Sequence, residues 1–113
     1  ELRRVNDNFP NRTYISHGQP GKYTVDGVEY DLAGFGDKMY ELTGYEGYMI
    51  IYDVPDNVNY QEYINVIANI KYSLERRRRE YILLRSGSWA QRYEELYREA
   101  MEIYPFRLFE LVY

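Results

Sequence analysis

Few residues in this chain are of a type and spacing that could do chemistry. The only histidine, His17, stands before Gly18 in a turn cluster, His17-Gly18-Gln19-Pro20-Gly21. A triad or a histidine-based metal site would have to be built on this one imidazole, with no cysteine to help. It reads as a turn residue. Asp53 and Asp56 flank Val54-Pro55 at the exit of an apolar run. Carboxylates at a strand end can hold Mg²⁺ for phosphoryl chemistry. Nucleases with a Pro-Asp motif also need a downstream acidic-x-Lys, and Lys71 follows Asn69-Ile70 instead. Asp56 reads more simply as a turn or helix-start acid. Gly34-Phe35-Gly36-Asp37 lacks both the Gly-Lys-Ser/Thr ending of a phosphate loop and the third glycine of a dinucleotide fingerprint. Asn11-Arg12-Thr13 fits a glycosylation acceptor, a tripeptide too short to carry weight alone. No catalytic residue, metal ligand or cofactor is expected.

The most specific oddity is Arg76-Arg77-Arg78-Arg79. Successive helical residues point about 100° apart, so four arginines ring a helix rather than face one ligand. Part of the run is explained as a solvated, ion-paired surface, with Glu75–Arg79 and Arg76–Glu80 at i,i+4 spacing. Two functional readings compete with that. Arg77 interrupts an apolar stripe and could fix register at a protein interface, as polar seam residues do. Alternatively Arg76, Arg77, Arg78, Arg79, Arg85 and Arg92 could meet phosphates, with Tyr72 and Tyr81 stacking bases.

The elements that must position these residues can be read from periodicity. Residues 1–11 carry no period and read as an arm; 12–16 is a short strand. Lys22–Val25 and Val28–Leu32 flank Asp26-Gly27, the residue pair of a type I′ hairpin turn. That turn pairs Val25 with Val28, Thr24 with Glu29, Tyr23 with Tyr30 and Lys22 with Asp31. Asp37–Leu42 is a short helix or a turn. Tyr48–Val54 is a continuous apolar run, a strand buried on both faces. From 59 to 85 the period becomes helical, with Asn59 and Glu62 resembling a capping box. This helix would be about 40 Å long, more than so small a domain can cover. Gly87 breaks it, and Ser88 with Gln91 starts a second helix to residue 104, stopped by Pro105. Residues 106–113 close the chain as an apolar strand. The fold expected is α+β: a small antiparallel or mixed sheet (hairpin 22–32, strands 48–54 and 106–113) against an antiparallel helical hairpin (59–85, 88–104).

The chain has 113 residues, enough for one domain spanning 1–113. Net charge is −4, with the acidic excess in residues 1–56, unlike the strongly basic proteins that coat nucleic acids. The absence of cysteine rules out disulfides and suits a reducing compartment. No apolar run is long enough to span a membrane and no signal peptide is legible, so a cytoplasmic location is expected, or the virion or host cytoplasm for a viral protein. Tyrosine is the anomaly, 15 residues of 113, and tyrosine favours contacts with one end packed and the other wet.

The function expected is therefore non-enzymatic protein binding: a subunit of a homo-oligomer or of a larger assembly, a viral one included, or an inhibitor docking on a host protein. Its interface would use Arg77, Tyr81, Leu84, Trp89 and Tyr93. The alternative is a nucleic-acid-binding module on segment 76–85 with Arg92. A metal-dependent hydrolase on Asp53 and Asp56 is the third reading.

Overall fold

The computed structural model describes residues 11–85 and 89–112, with the side chains of 89–92 left aside. Five strands form one mixed sheet: β1 (Asn11–His17), β2 (Lys22–Val25), β3 (Val28–Asp31), β4 (Tyr48–Val54) and β5 (Leu108–Val112). Their spatial order is β3-β2-β1-β4-β5. The β2–β3 hairpin has the expected register, from Lys22 opposite Asp31 to Val25 opposite Val28. Its turn has φ of +49° at Asp26 and +85° at Gly27, the positive pair that matches strand twist. Asp26 also ties the turn to β1: its carboxylate accepts from Tyr14 N–H at 2.9 Å and its own N–H donates to the Tyr14 carbonyl at 2.8 Å. Strand β1 runs antiparallel to β2 and parallel to β4, and β5 is again parallel to β4.

The described residues form three helices: α1 (Leu32–Leu42), α2 (Tyr60–Arg85) and α3 (Trp89–Ile103). Helix α1 is longer than expected and follows β3 directly. Asp31 is its N-cap, accepting from Gly34 N–H at 2.8 Å. Phe35, Met39 and Leu42, at i, i+4, i+7, bury its apolar stripe. The glycines that disguise this helix have a packing reason. A Cβ on Gly36 would lie 2.9 Å from Asn69 Oδ1 of α2, so the small residue lets the two helices approach. At the start of α2, Asn59 Oδ1 accepts from the N–H groups of Gln61 and Glu62, which is half of the expected capping box. Glu62 does not return to Asn59 but reaches the sheet.

The main core lies between one sheet face and helices α1 and α2. Ile15, Tyr23, Val25, Ile50, Tyr52 and Val54 meet Phe35, Met39, Val66, Ile70 and Leu74 there. The distal part of α2 outruns the sheet and is covered by α3 instead, in a separate cluster of Tyr81, Ile82, Leu96 and Ala100. The molecule is accordingly elongated, 48 Å on its longest axis. No described helix is long and apolar enough to cross a membrane. The expected break at Gly87, the Ser88–Gln91 cap and residues 1–10 of the expected arm lie outside the described residues, while Asn11, expected in the arm, begins β1.

Candidate functional site

The arginine run turns inward. Arg77 donates from Nε and Nη2 to the Tyr40 carbonyl, at 3.0 and 2.6 Å, at the end of α1. Arg78, one residue and about 100° further round α2, does the same to the Tyr104 carbonyl just after α3, at 3.1 and 2.8 Å. Each guanidinium supplies donors to helix-end carbonyls that the helix leaves unsatisfied, and a cation there complements the dipole. The two adjacent arginines thus tie α2 to both neighbouring helices. Arg76 and Arg77 both stack on the Tyr40 ring, 4.1 and 3.9 Å from its centroid. The Tyr40 hydroxyl donates to Glu80, which raises its pKa, and Glu80 also pairs with Arg76 at 3.4 Å. Arg79 is exposed, and Arg85 lies 3.8 Å over the Tyr81 ring.

The other expected interface residues are scattered. Tyr81 is nearly buried and donates to Glu99 at 3.0 Å. Leu84 is 82% exposed and Tyr93 is exposed as well. The side chains of Trp89 and Arg92 lie outside the described residues. Among the described residues no three His, Asp or Glu side chains gather as a metal site would need.

His17 is better placed than its sequence context suggests. It ends β1 beside Tyr52 of β4, with Nε2 2.5 Å from the Tyr52 hydroxyl. Tyr52 is fully buried, and burial pushes its pKa up, so the phenol keeps its proton. That proton has no other acceptor among the described residues, so it is donated to Nε2, and neutral His17 carries its hydrogen on Nδ1. Burial lowers the His17 pKa, partly opposed by the Glu62 carboxylate. Beside it opens a crevice of about 650 Å³, lined by Pro20, Pro55, Asn57, Gln61 and Glu62 among others. It sits at the end of the sheet where the chain leaves β1 toward β2 and where it leaves β4. The lining offers no hydroxyl, thiol or amine side chain as a nucleophile. Both Glu62 oxygens are engaged, by Gly21 N–H at 3.0 Å and Tyr23 O–H at 2.9 Å. The group joins the first turn of α2 to the sheet. The missed signal was positional: a histidine closing one strand, at the same edge as the Val54-Pro55 exit of another.

The β5 edge of the sheet carries exposed apolar side chains. The described helices pack on one sheet face. The other face carries Tyr14, Ile51 and Phe109 in one cross-strand row, with Ile51 fully buried and Tyr14 and Phe109 exposed at 38 and 40%. Parallel strands are ordinarily covered on both faces. This face runs into the β5 edge, where Phe106, Phe109 and Val112 are 43, 40 and 72% exposed. The only charge within β5, Glu110, faces the helices and accepts from the Tyr63 hydroxyl at 2.5 Å. The other sheet edge differs: β3 shows Glu29 and Asp31 to solvent. Edges are normally blunted by charge, proline or a bulge. β3 carries two exposed carboxylates, whereas the one carboxylate of β5 points inward and its exposed side chains, Phe109 and Val112, are apolar.

No protein-family model matches this chain, and no curated protein or solved structure is significantly similar to it.

Proposed function

We propose that this chain is a non-enzymatic, self-associating protein, a subunit of a homo-oligomer or of a larger assembly. One observation carries the reading: β5 is an edge strand whose outer main-chain groups meet no described strand, with Phe109 and Val112 exposed on it. The tyrosine excess does not carry it, because many of these rings serve the fold itself, as Tyr23, Tyr52 and Tyr48 do in the core. The interface accordingly moves from the helical tip, where Leu84 and Tyr93 stand, to the β5 side of the sheet. A cytoplasmic location belongs to the same proposal and is supported by the cysteine-free composition. The nucleic-acid alternative is weaker, since Arg77 and Arg78 direct their Nε and Nη2 donors to helix-end carbonyls.

Size exclusion with light scattering, at two salt concentrations and with or without an oligonucleotide, tests the proposal. The expected mass is a multiple of 13.7 kDa, little changed by salt because the contact is apolar. A monomer at high micromolar concentration that binds the oligonucleotide with a steep salt slope would replace this reading by the nucleic-acid one.

A further inference from the structure

The direction of the β5 backbone narrows how a partner can meet it. Ile50 N–H donates to the Arg107 carbonyl at 3.2 Å, with Ile50 opposite Leu108 in the parallel register. In a parallel ladder a residue's N–H and C=O point to the same side, and successive residues alternate. Arg107, Phe109 and Leu111 therefore turn their main-chain groups toward β4. Leu108, Glu110 and Val112 turn theirs outward, where no described strand receives them.

Resting on the self-association reading, we propose that the partner is a second copy of this chain. Its β5 pairs antiparallel with the first across a two-fold axis, with Phe109 facing the partner's Phe109. A two-fold perpendicular to the sheet keeps the helices of both copies on one side of the joined sheet. It fuses two five-stranded sheets into one of ten strands, whose free edges are the two charged β3 strands.

Three symmetric registers centre on the inner residues of β5 and keep side chains on matching faces. Centring on Glu110 sets two carboxylates opposite each other, which is unfavourable. Centring on Leu111 leaves the main chain of Leu108 with no counterpart in the partner's β5. Centring on Phe109 avoids both problems. Leu108 then exchanges two hydrogen bonds with the partner's Glu110, and the reverse pair repeats it. Val112 meets the partner's Phe106, covering two of the exposed apolar side chains. The two Phe109 rings form a non-hydrogen-bonded pair, the kind whose Cα atoms lie about 4.5 Å apart.

The chain contains no cysteine, so single-cysteine variants read the register directly. Phe109→Cys places two thiols within the Cα range of a disulfide. Leu111→Cys places them about four residues, or roughly 13 Å, apart along the strands. Mild oxidation followed by a non-reducing gel should give a covalent dimer for Phe109→Cys and none for Leu111→Cys or Glu110→Cys. In the unmodified protein, the amide hydrogens of Leu108 and Glu110 should exchange at least tenfold more slowly at high than at low protein concentration. This second readout stands even if Phe109→Cys fails to fold. Crosslinking through Leu111→Cys or Glu110→Cys overturns the register. An oligomer by light scattering, with no crosslink at Phe109→Cys and no protection of Leu108 and Glu110, overturns the β5 pairing and leaves self-association standing. A monomer at every concentration overturns both.

Discussion

At the scale of single residues, buried polar groups are held by specific partners, and two of these can be tested by substitution. His17 accepts the Tyr52 proton on Nε2, and its pKa is lowered in the fold, chiefly by burial. The unfolded chain then binds a proton more readily than the folded one as pH drops below about 6.5, the ordinary histidine value. The contribution of this group to stability is present above that pH and is lost as pH falls through the folded value. Urea unfolding at pH 7.5 and 5.5 should show a drop for the wild type that shrinks in His17→Gln. An equal drop in both proteins would assign the effect to the carboxylates. The second test is Arg77. A Cβ on Gly44 would lie 2.5 Å from its guanidinium, which two hydrogen bonds and the Tyr40 ring hold in place. Arg77→Ala should cost about 2 kcal/mol, the usual worth of charged hydrogen bonds. Gly44→Ala should destabilise the wild type and be nearly neutral in the Arg77→Ala background. A double-mutant cycle by chemical denaturation should give a coupling of roughly 1 kcal/mol. Additive effects would mean that Gly44 is small for another reason. The run of arginines was legible in the sequence, but what it touches was not, because those carbonyls lie 26 and 37 positions away along the chain.

At the scale of elements, local chemistry was legible where it is self-contained. The Asp26-Gly27 turn needs only two residues with positive φ, and both its type and its register were predictable. Gly27→Val should lower the unfolding free energy by about 1–2 kcal/mol, since a β-branched residue resists φ of +85°. An unchanged thermal midpoint would contradict the turn. Helix α1 shows the opposite case. Gly34 and Gly36 lower its intrinsic propensity by about 1 kcal/mol each. The helix forms because Asp31 caps it and because Phe35, Met39 and Leu42 bury against the core. A local reading therefore starts it too late. The Arg78 clamp joins α2 to the end of α3. Arg78→Met keeps much of the side-chain volume and removes the donors. It should release α3, seen as faster amide exchange over Leu96–Ala100 while β4 stays protected. Uniform acceleration across both would show instead that the helices and the sheet unfold as one unit.

At the scale of the whole molecule, the described helices pack on one sheet face, and the two sheet edges are unlike. Val112→Lys puts a charge on the open edge, the ordinary device against edge pairing. It should shift the light-scattering mass toward that of a single chain without lowering the thermal midpoint of the monomer, because Val112 is 72% exposed. An oligomer that survives this change would place the principal contact away from this edge. By itself the sequence determined the α+β class, the β2–β3 hairpin, the buried strand β4 and the extent of helix α2. These follow from periodicity, turn chemistry and capping, which act over a few residues. Tertiary structure alone decided the strand order, the place of His17 beside Tyr52, and the inward turn of Arg77 and Arg78. Those depend on contacts between residues tens of positions apart, where a side chain's environment is set by the elements packed around it and not by its neighbours in the chain.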